Sequence, residues 1–140
     1  MSITGNGAFP AFDRFHAHCA MTVTFNNLSC VQAYDRMKDL TEEWAPEPKA
    51  GGIYAMWTAT EEEQLWVTRT TPTKHYVDDI IFEYFGNPAD FEVKGCTVKG
   101  RSRSQTLSYY DYDTNFCNMW NVFDALKQPM TNMTISDCKF

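Results

Sequence analysis

Residues 53–85 read Ile53-Tyr-Ala-Met-Trp-Thr-Ala-Thr60-Glu-Glu-Glu-Gln64-Leu-Trp-Val-Thr-Arg-Thr70-Thr-Pro-Thr-Lys-His-Tyr76-Val-Asp-Asp-Ile-Ile-Phe-Glu-Tyr-Phe85. Three short runs rich in β-branched and aromatic residues alternate with turn residues, the pattern of an antiparallel meander. The spacing predicts strands near 53–60, 64–70 and 76–85, with turns at Glu61-Glu62-Glu63 and Pro72-Thr73. The same rhythm continues downstream. It predicts strands near 91–98, 104–111, 115–123 and 133–139, with turns at Gly86-Asn87-Pro88-Ala89-Asp90, Gly100-Arg101-Ser102 and Asp113-Thr114.

Upstream, residues 18–27 (HCAMTVTFNN) alternate as a strand should. Ser29 followed three residues later by Gln32 then has the form of a capping box. Cys30, Tyr34, Met37, Thr41 and Trp44 recur at helical spacing, with Asp35, Lys38, Asp39, Glu42 and Glu43 on the opposite face. Ala45-Pro46-Glu47-Pro48 stops the helix, because a residue before proline resists the helical conformation. Residues 1–15, with Gly5, Gly7 and Pro10, have no clear period and read as an N-terminal arm.

A chain of 140 residues is expected to form a single domain, 1–140. Seven or eight strands and one amphipathic helix near 29–44 define a mainly β (α+β) fold: an antiparallel barrel or a strongly curved meander sheet. The aromatic content of 15% suits strands or an aromatic cavity better than a helical bundle. Aromatics fall on both strand faces, Trp57 with Ile53 and Trp66 with Thr68, so alternation alone does not separate inside from outside.

The net charge of −6 offers no basic footprint for nucleic acid. No apolar run reaches the length of a membrane span. Residues 1–12 have neither the charged start nor the apolar stretch of a signal peptide. Five cysteines (Cys19, Cys30, Cys96, Cys117, Cys138) without a C-x-x-C pair point to disulfides rather than a zinc ribbon. Asn27-Leu28-Ser29 and Asn132-Met133-Thr134 are glycosylation sequons near cysteines. Together these predict a secreted glycoprotein whose leader is not present in this chain. Cys117–Cys138 is the first expected pair and Cys19–Cys30 the second, leaving Cys96 buried or joining two chains in a homodimer.

Chemistry-bearing patterns are few. His16 and His18 alternate on a strand and, with His75, could form an open metal site, although His75 falls in a turn. Asp111-Tyr112-Asp113-Thr114-Asn115 imitates the start of a calcium loop, but Phe116 and Val122 occupy its required glycine and glutamate positions. Lys99, Arg101 and Arg103, with Lys94 nearby, are the basic concentration of an acidic chain, either a carboxylate or phosphate receiver or a charged turn. Asp78-Asp79 and Glu61-Glu63 are adjacent or in turns, where opposite faces and water keep carboxylates ordinary. No nucleophile elbow or phosphate loop occurs, so the sequence leans away from an enzyme and implies no particular cofactor. What remains is an aromatic set, Trp57, Trp66, Tyr76, Phe82, Tyr84, Tyr109, Tyr110, Tyr112 and Trp120. These residues could line an apolar pocket, together with Arg101 and Arg103, or form an exposed stacking platform.

Ser108-Tyr-Tyr-Asp-Tyr-Asp-Thr-Asn-Phe-Cys117 resembles the T-D-Y-x-x-Y strand-turn-strand signature of lipocalins, with Asp111 and Tyr112 at its acidic and aromatic positions. The G-x-W hallmark of that family is absent. The resemblance implies a calycin-like barrel and a non-enzymatic protein that holds a small apolar or pigment-like molecule. Two other classes stay open: a carbohydrate- or protein-recognition module using exposed Trp and Tyr, and a His-based metal enzyme.

Overall fold

The computed structural model describes residues 9–13, 16–60, 64–86, 94–105 and 114–138. Among them the chain runs β1 (His18–Ser29), α1 (Cys30–Glu43), β2 (Ile53–Thr60), β3 (Gln64–Thr70), β4 (Val77–Phe85), β5 (Lys94–Ser104), α2 (Thr114–Ala125) and β6 (Met130–Ser136). All six strands join one antiparallel sheet in the order β2-β3-β4-β5-β1-β6. The sheet is curved and open: β2 and β6 are its edges, so the barrel alternative gives way to the curved sheet. Register shifts at Thr22/Thr24, Phe25/Ser29 and Met56/Thr58 add local twist of the kind that bends a sheet.

The pleat separates two faces. On the helix-covered face, one row runs Met21, Gly100, Phe82, Leu65 and the next Cys19, Ser102, Ile80, Val67. Phe123 of α2 meets Phe25 at 6.0 Å and Phe82 at 5.5 Å, and Tyr34 of α1 meets Tyr84 at 5.6 Å, all edge-to-face. Burying a side chain such as Phe82, which has no exposed surface, stabilises the fold by about 2–3 kcal/mol. Helix α1 begins as its capping box requires: Ser29 Oγ accepts from Gln32 N at 3.1 Å, and Ser29 N donates to Gln32 Oε1 at 2.9 Å.

Residues 115–123 form helix α2, not the expected strand. Asn115, Asn118, Met119, Val122 and Phe123 are buried, a stripe of helical period. Two of its members are asparagines, which hid the period from a hydrophobicity count. The expected turn at Gly100-Arg101-Ser102 is instead the middle of β5, so the strands foreseen at 91–98 and 104–111 are one strand where they are described. Gly100 is there for packing: a Cβ at this position would stand 2.9 Å from Met119 Sδ. The absent side chain lets α2 lie close on the sheet.

Both expected disulfide pairs are corrected. The bonds are Cys19–Cys138 and Cys30–Cys96, and Cys117 on α2 is exposed and outside both disulfides. Cys19 and Cys30 lie near opposite ends of β1, roughly 35 Å apart at the rise of a strand, far beyond disulfide reach. Antiparallel pairing instead sets Ala20 opposite Ser136, bringing Cys138 to Cys19. It also sets Cys96 opposite Phe25, near the start of α1. Two disulfides point to an oxidising environment. Among the described residues no helix is long and apolar enough to cross a membrane.

Candidate functional site

Trp66 of β3, Ile81 of β4 and Arg101 of β5 form one row across the outer face, the face opposite α1 and α2. The adjacent row is Thr68, Asp79, Arg103 and His18. Lys99, Arg101 and Arg103 therefore share one side of a single strand, as their spacing of two allows.

Residues 9–13 lie over these rows. The Phe9 ring meets Trp66 edge-to-face at 5.3 Å, and the Arg101 guanidinium stands over the same ring at 5.1 Å. Phe12 stacks on His18 at 4.3 Å. Asp13 accepts from Arg103 Nη2 at 3.1 Å and lies 2.9 Å from His16 Nδ1, while His18 contacts the Asp137 carbonyl. Below the strap, Asp79 Oδ1 accepts from Trp66 Nε1 and Gln105 Nε2, both at 3.2 Å, and Arg101 pairs with Glu83 at 3.3 Å. Trp57 stands beside Trp66 at 6.1 Å and is 41% exposed, at the bulge of edge strand β2. The outcome is a patch of side chains in which Trp66, Ile81 and Asp79 are buried, Arg101 and Arg103 are partly exposed, and Trp57 stands open at the edge.

The other aromatics foreseen as ligand contacts do not converge here. Phe82 and Tyr84 are core residues, Tyr76 is exposed before β4, and Trp120 stacks with Phe116 on α2. Tyr109, Tyr110, Tyr112 and most of the Asp111–Thr114 turn lie outside the described residues; Thr114 opens α2. The stretch carrying the lipocalin resemblance is described only at Thr114–Cys117, which is helical. His75 sits in the turn closed by Thr71 and Tyr76, and among the described residues no cluster of three His, Cys, Asp or Glu could hold a metal ion.

A second constellation occupies the end of the helix-covered face, where the row Ser104, Asp78, Arg69, Tyr54 closes the sheet. Asn118 Nδ2 donates to Asp78 Oδ2 at 2.8 Å and to Ser102 Oγ at 3.0 Å, and Ser102 Oγ donates to Asn115 Oδ1 at 2.6 Å. Glu47 and Arg69 form a buried ion pair, with Nε–Oε2 at 2.6 Å, and Tyr54 Oη donates to the Asn118 carbonyl at 2.9 Å. These contacts clamp α2 and the 44–52 connection onto the sheet, and no nucleophile–base pair stands among them. Asp78 and Asp79 do face opposite sides, as adjacent strand residues must, but both are buried rather than in water. The signal missed in the sequence was the pairing of polar positions on α2 with polar ends of β4 and β5.

Burial, followed by the nearby Glu47 charge, pushes the Tyr54 hydroxyl above its ordinary value near 10, and burial does the same to Tyr84. Both remain neutral in the folded state after the unfolded chain would ionise. Their stabilising contribution is therefore complete below pH 10 and falls as pH rises beyond it. Urea unfolding across alkaline pH should show this contribution level up to about pH 10 and falling above it by about 1.4 kcal/mol per pH unit for each of the two tyrosines. Tyr84→Phe should halve that slope; an unchanged slope would refute the assignment.

Set beside known proteins, the chain matches no protein-family model and no curated protein.

Proposed function

We propose that this chain is a secreted, non-catalytic recognition protein that binds its partner on the outer face of the sheet. One observation carries the proposal: Trp57, Trp66, Arg101 and Arg103 stand together on the face opposite the described helices, in contact with the strap 9–13 through Trp66, Arg101 and Arg103. Such faces, with aromatic rings beside hydrogen-bonding polar groups, suit recognition. The two disulfides favour an extracellular setting, and the exposed Asn27 and Asn132 leave both sequons accessible for glycosylation. A calycin-like carrier of a small apolar molecule keeps one supporting feature, the return of the β2–β5 meander to pair with β1. Against an aromatic-lined enclosure stand the open edges and the packing of Phe82 and Tyr84 into the core.

Peptide and glycan arrays probed with native chain, Trp57→Ala and Arg101→Ala test the recognition role. Binding should fall at least ten-fold in both variants and stay unchanged in Thr73→Ala. If instead native mass spectrometry finds a retained organic molecule indifferent to Trp57 and Arg101, the carrier reading replaces it.

A further inference from the structure

We infer that the outer face is a docking site for an extended acidic, aromatic segment of a partner polypeptide, whose place the chain's own Phe9–Asp13 holds. The inference rests on the recognition role proposed above and adds the chemistry of the partner. The strap displays what the face accepts: a ring between an indole and a guanidinium, a second ring on an imidazole, and a carboxylate four residues after the first ring. The matching partner sequence is aromatic-x-x-aromatic-acidic.

The fit of the strap is incomplete in a way that leaves room for a better ligand. Arg101 Nε and Arg103 Nε are buried and have no hydrogen-bond partner among the described residues. Asp13 takes Arg103 through Nη2 alone rather than through the two-nitrogen fork that binds a carboxylate best. A partner bringing its own carboxylate can engage Nε and Nη2 together. Charge adds a smaller contribution: Lys99, Arg101 and Arg103 share this face with Glu83 and Asp79, which leaves one positive charge in excess before Asp13 is placed on it. An internal occupant lowers apparent affinity by the fraction of molecules whose face is open, so loosening the strap should strengthen binding.

The test uses the full chain and a fluorescein-labelled peptide, Ala-Phe-Pro-Ala-Phe-Asp, read by anisotropy. Phe9→Ala/Asp13→Ala should bind the peptide at least ten-fold tighter than the native chain. Arg103→Lys added to that variant, which keeps the charge but loses the fork, should weaken binding at least five-fold, as should Asp→Asn in the peptide. No gain on loosening the strap, or a gain indifferent to the peptide's carboxylate, overturns the inference. If the arrays give a Trp57-dependent ligand of other chemistry while the peptide fails, the recognition role survives and this partner class falls. Sedimentation of the native chain covers strap exchange between copies: a dimer that Phe9→Ala/Asp13→Ala dissociates makes the occupant a second copy and overturns the external partner.

Discussion

Replacing Arg69 with alanine is expected to lower the unfolding free energy by about 3–5 kcal/mol, the cost of leaving one member of a buried ion pair without its partner. The Arg69 and Glu47 side chains are 9% and 2% exposed. Glu47 Oε2 is the acceptor for Arg69 Nε, Arg69 Nη2 and the Gly52 backbone N–H. Without Arg69, the only described support of that buried carboxylate is the Gly52 amide. Removing both charges in Glu47→Gln/Arg69→Met should cost far less, because no uncompensated charge then stays in the interior. The same pair predicts the effect of a small change nearby. A Cβ at Gly52 would lie 2.3 Å from both Arg69 Nε and Glu47 Oε2, so Gly52→Ala must push the pair apart and should approach the loss seen for Arg69→Ala. Urea unfolding at neutral pH measures all three, read as midpoint shifts at constant m. A loss under about 1 kcal/mol for Arg69→Ala would show that water reaches Glu47.

This clamp also marks where the sequence stopped being legible. Strands β2, β3 and β4 and helix α1 were readable because their signals are local: alternation between turn residues, or a capping box before a helical stripe. The clamp joins Glu47, which read as part of a helix stop, with Asp78, which read as one of two solvated neighbours. Its partner helix α2 reads as a strand in the sequence because Asn115 and Asn118 interrupt the apolar stripe. Those asparagines are buried only because Asp78, Ser102 and Ser104 wait on the sheet to bond them, a long-range condition that a local window does not contain. Gly100 misled for a related reason. Its missing side chain serves Met119 on α2, not a change of chain direction. On the outer face, Trp57, Trp66, Arg101 and Arg103 each read as binding candidates, yet their convergence depends on strand register and on the strap, neither of which composition reveals.

The two disulfides should fail in different ways, although chain entropy alone assigns each a similar value. Closing loops of 66 and 119 residues restricts the unfolded chain by about 4 and about 5 kcal/mol, and the inner bridge shortens the outer loop when both are present. What differs is the folded structure around them. Cys30 and Cys96 are completely buried, between the first turn of α1 and β5, so Cys30→Ala/Cys96→Ala removes a core crosslink and should lower global stability by about 4 kcal/mol. Cys138 only follows β6, an edge strand exposed at every position from Thr131 to Ser136. That strand buries too little to bind its ends to the global transition, so Cys19→Ala/Cys138→Ala should release β6 locally. Hydrogen exchange should then show protection lost in residues 130–136 and retained in β3, β4 and β5. Equal global losses for the two variants, with β6 still protected, would refute this division. Maleimide mass labelling under native conditions checks the pairing itself: one label, on Cys117, is expected, a label on Cys96 or Cys30 would contradict the inner bond, and one on Cys19 or Cys138 the outer.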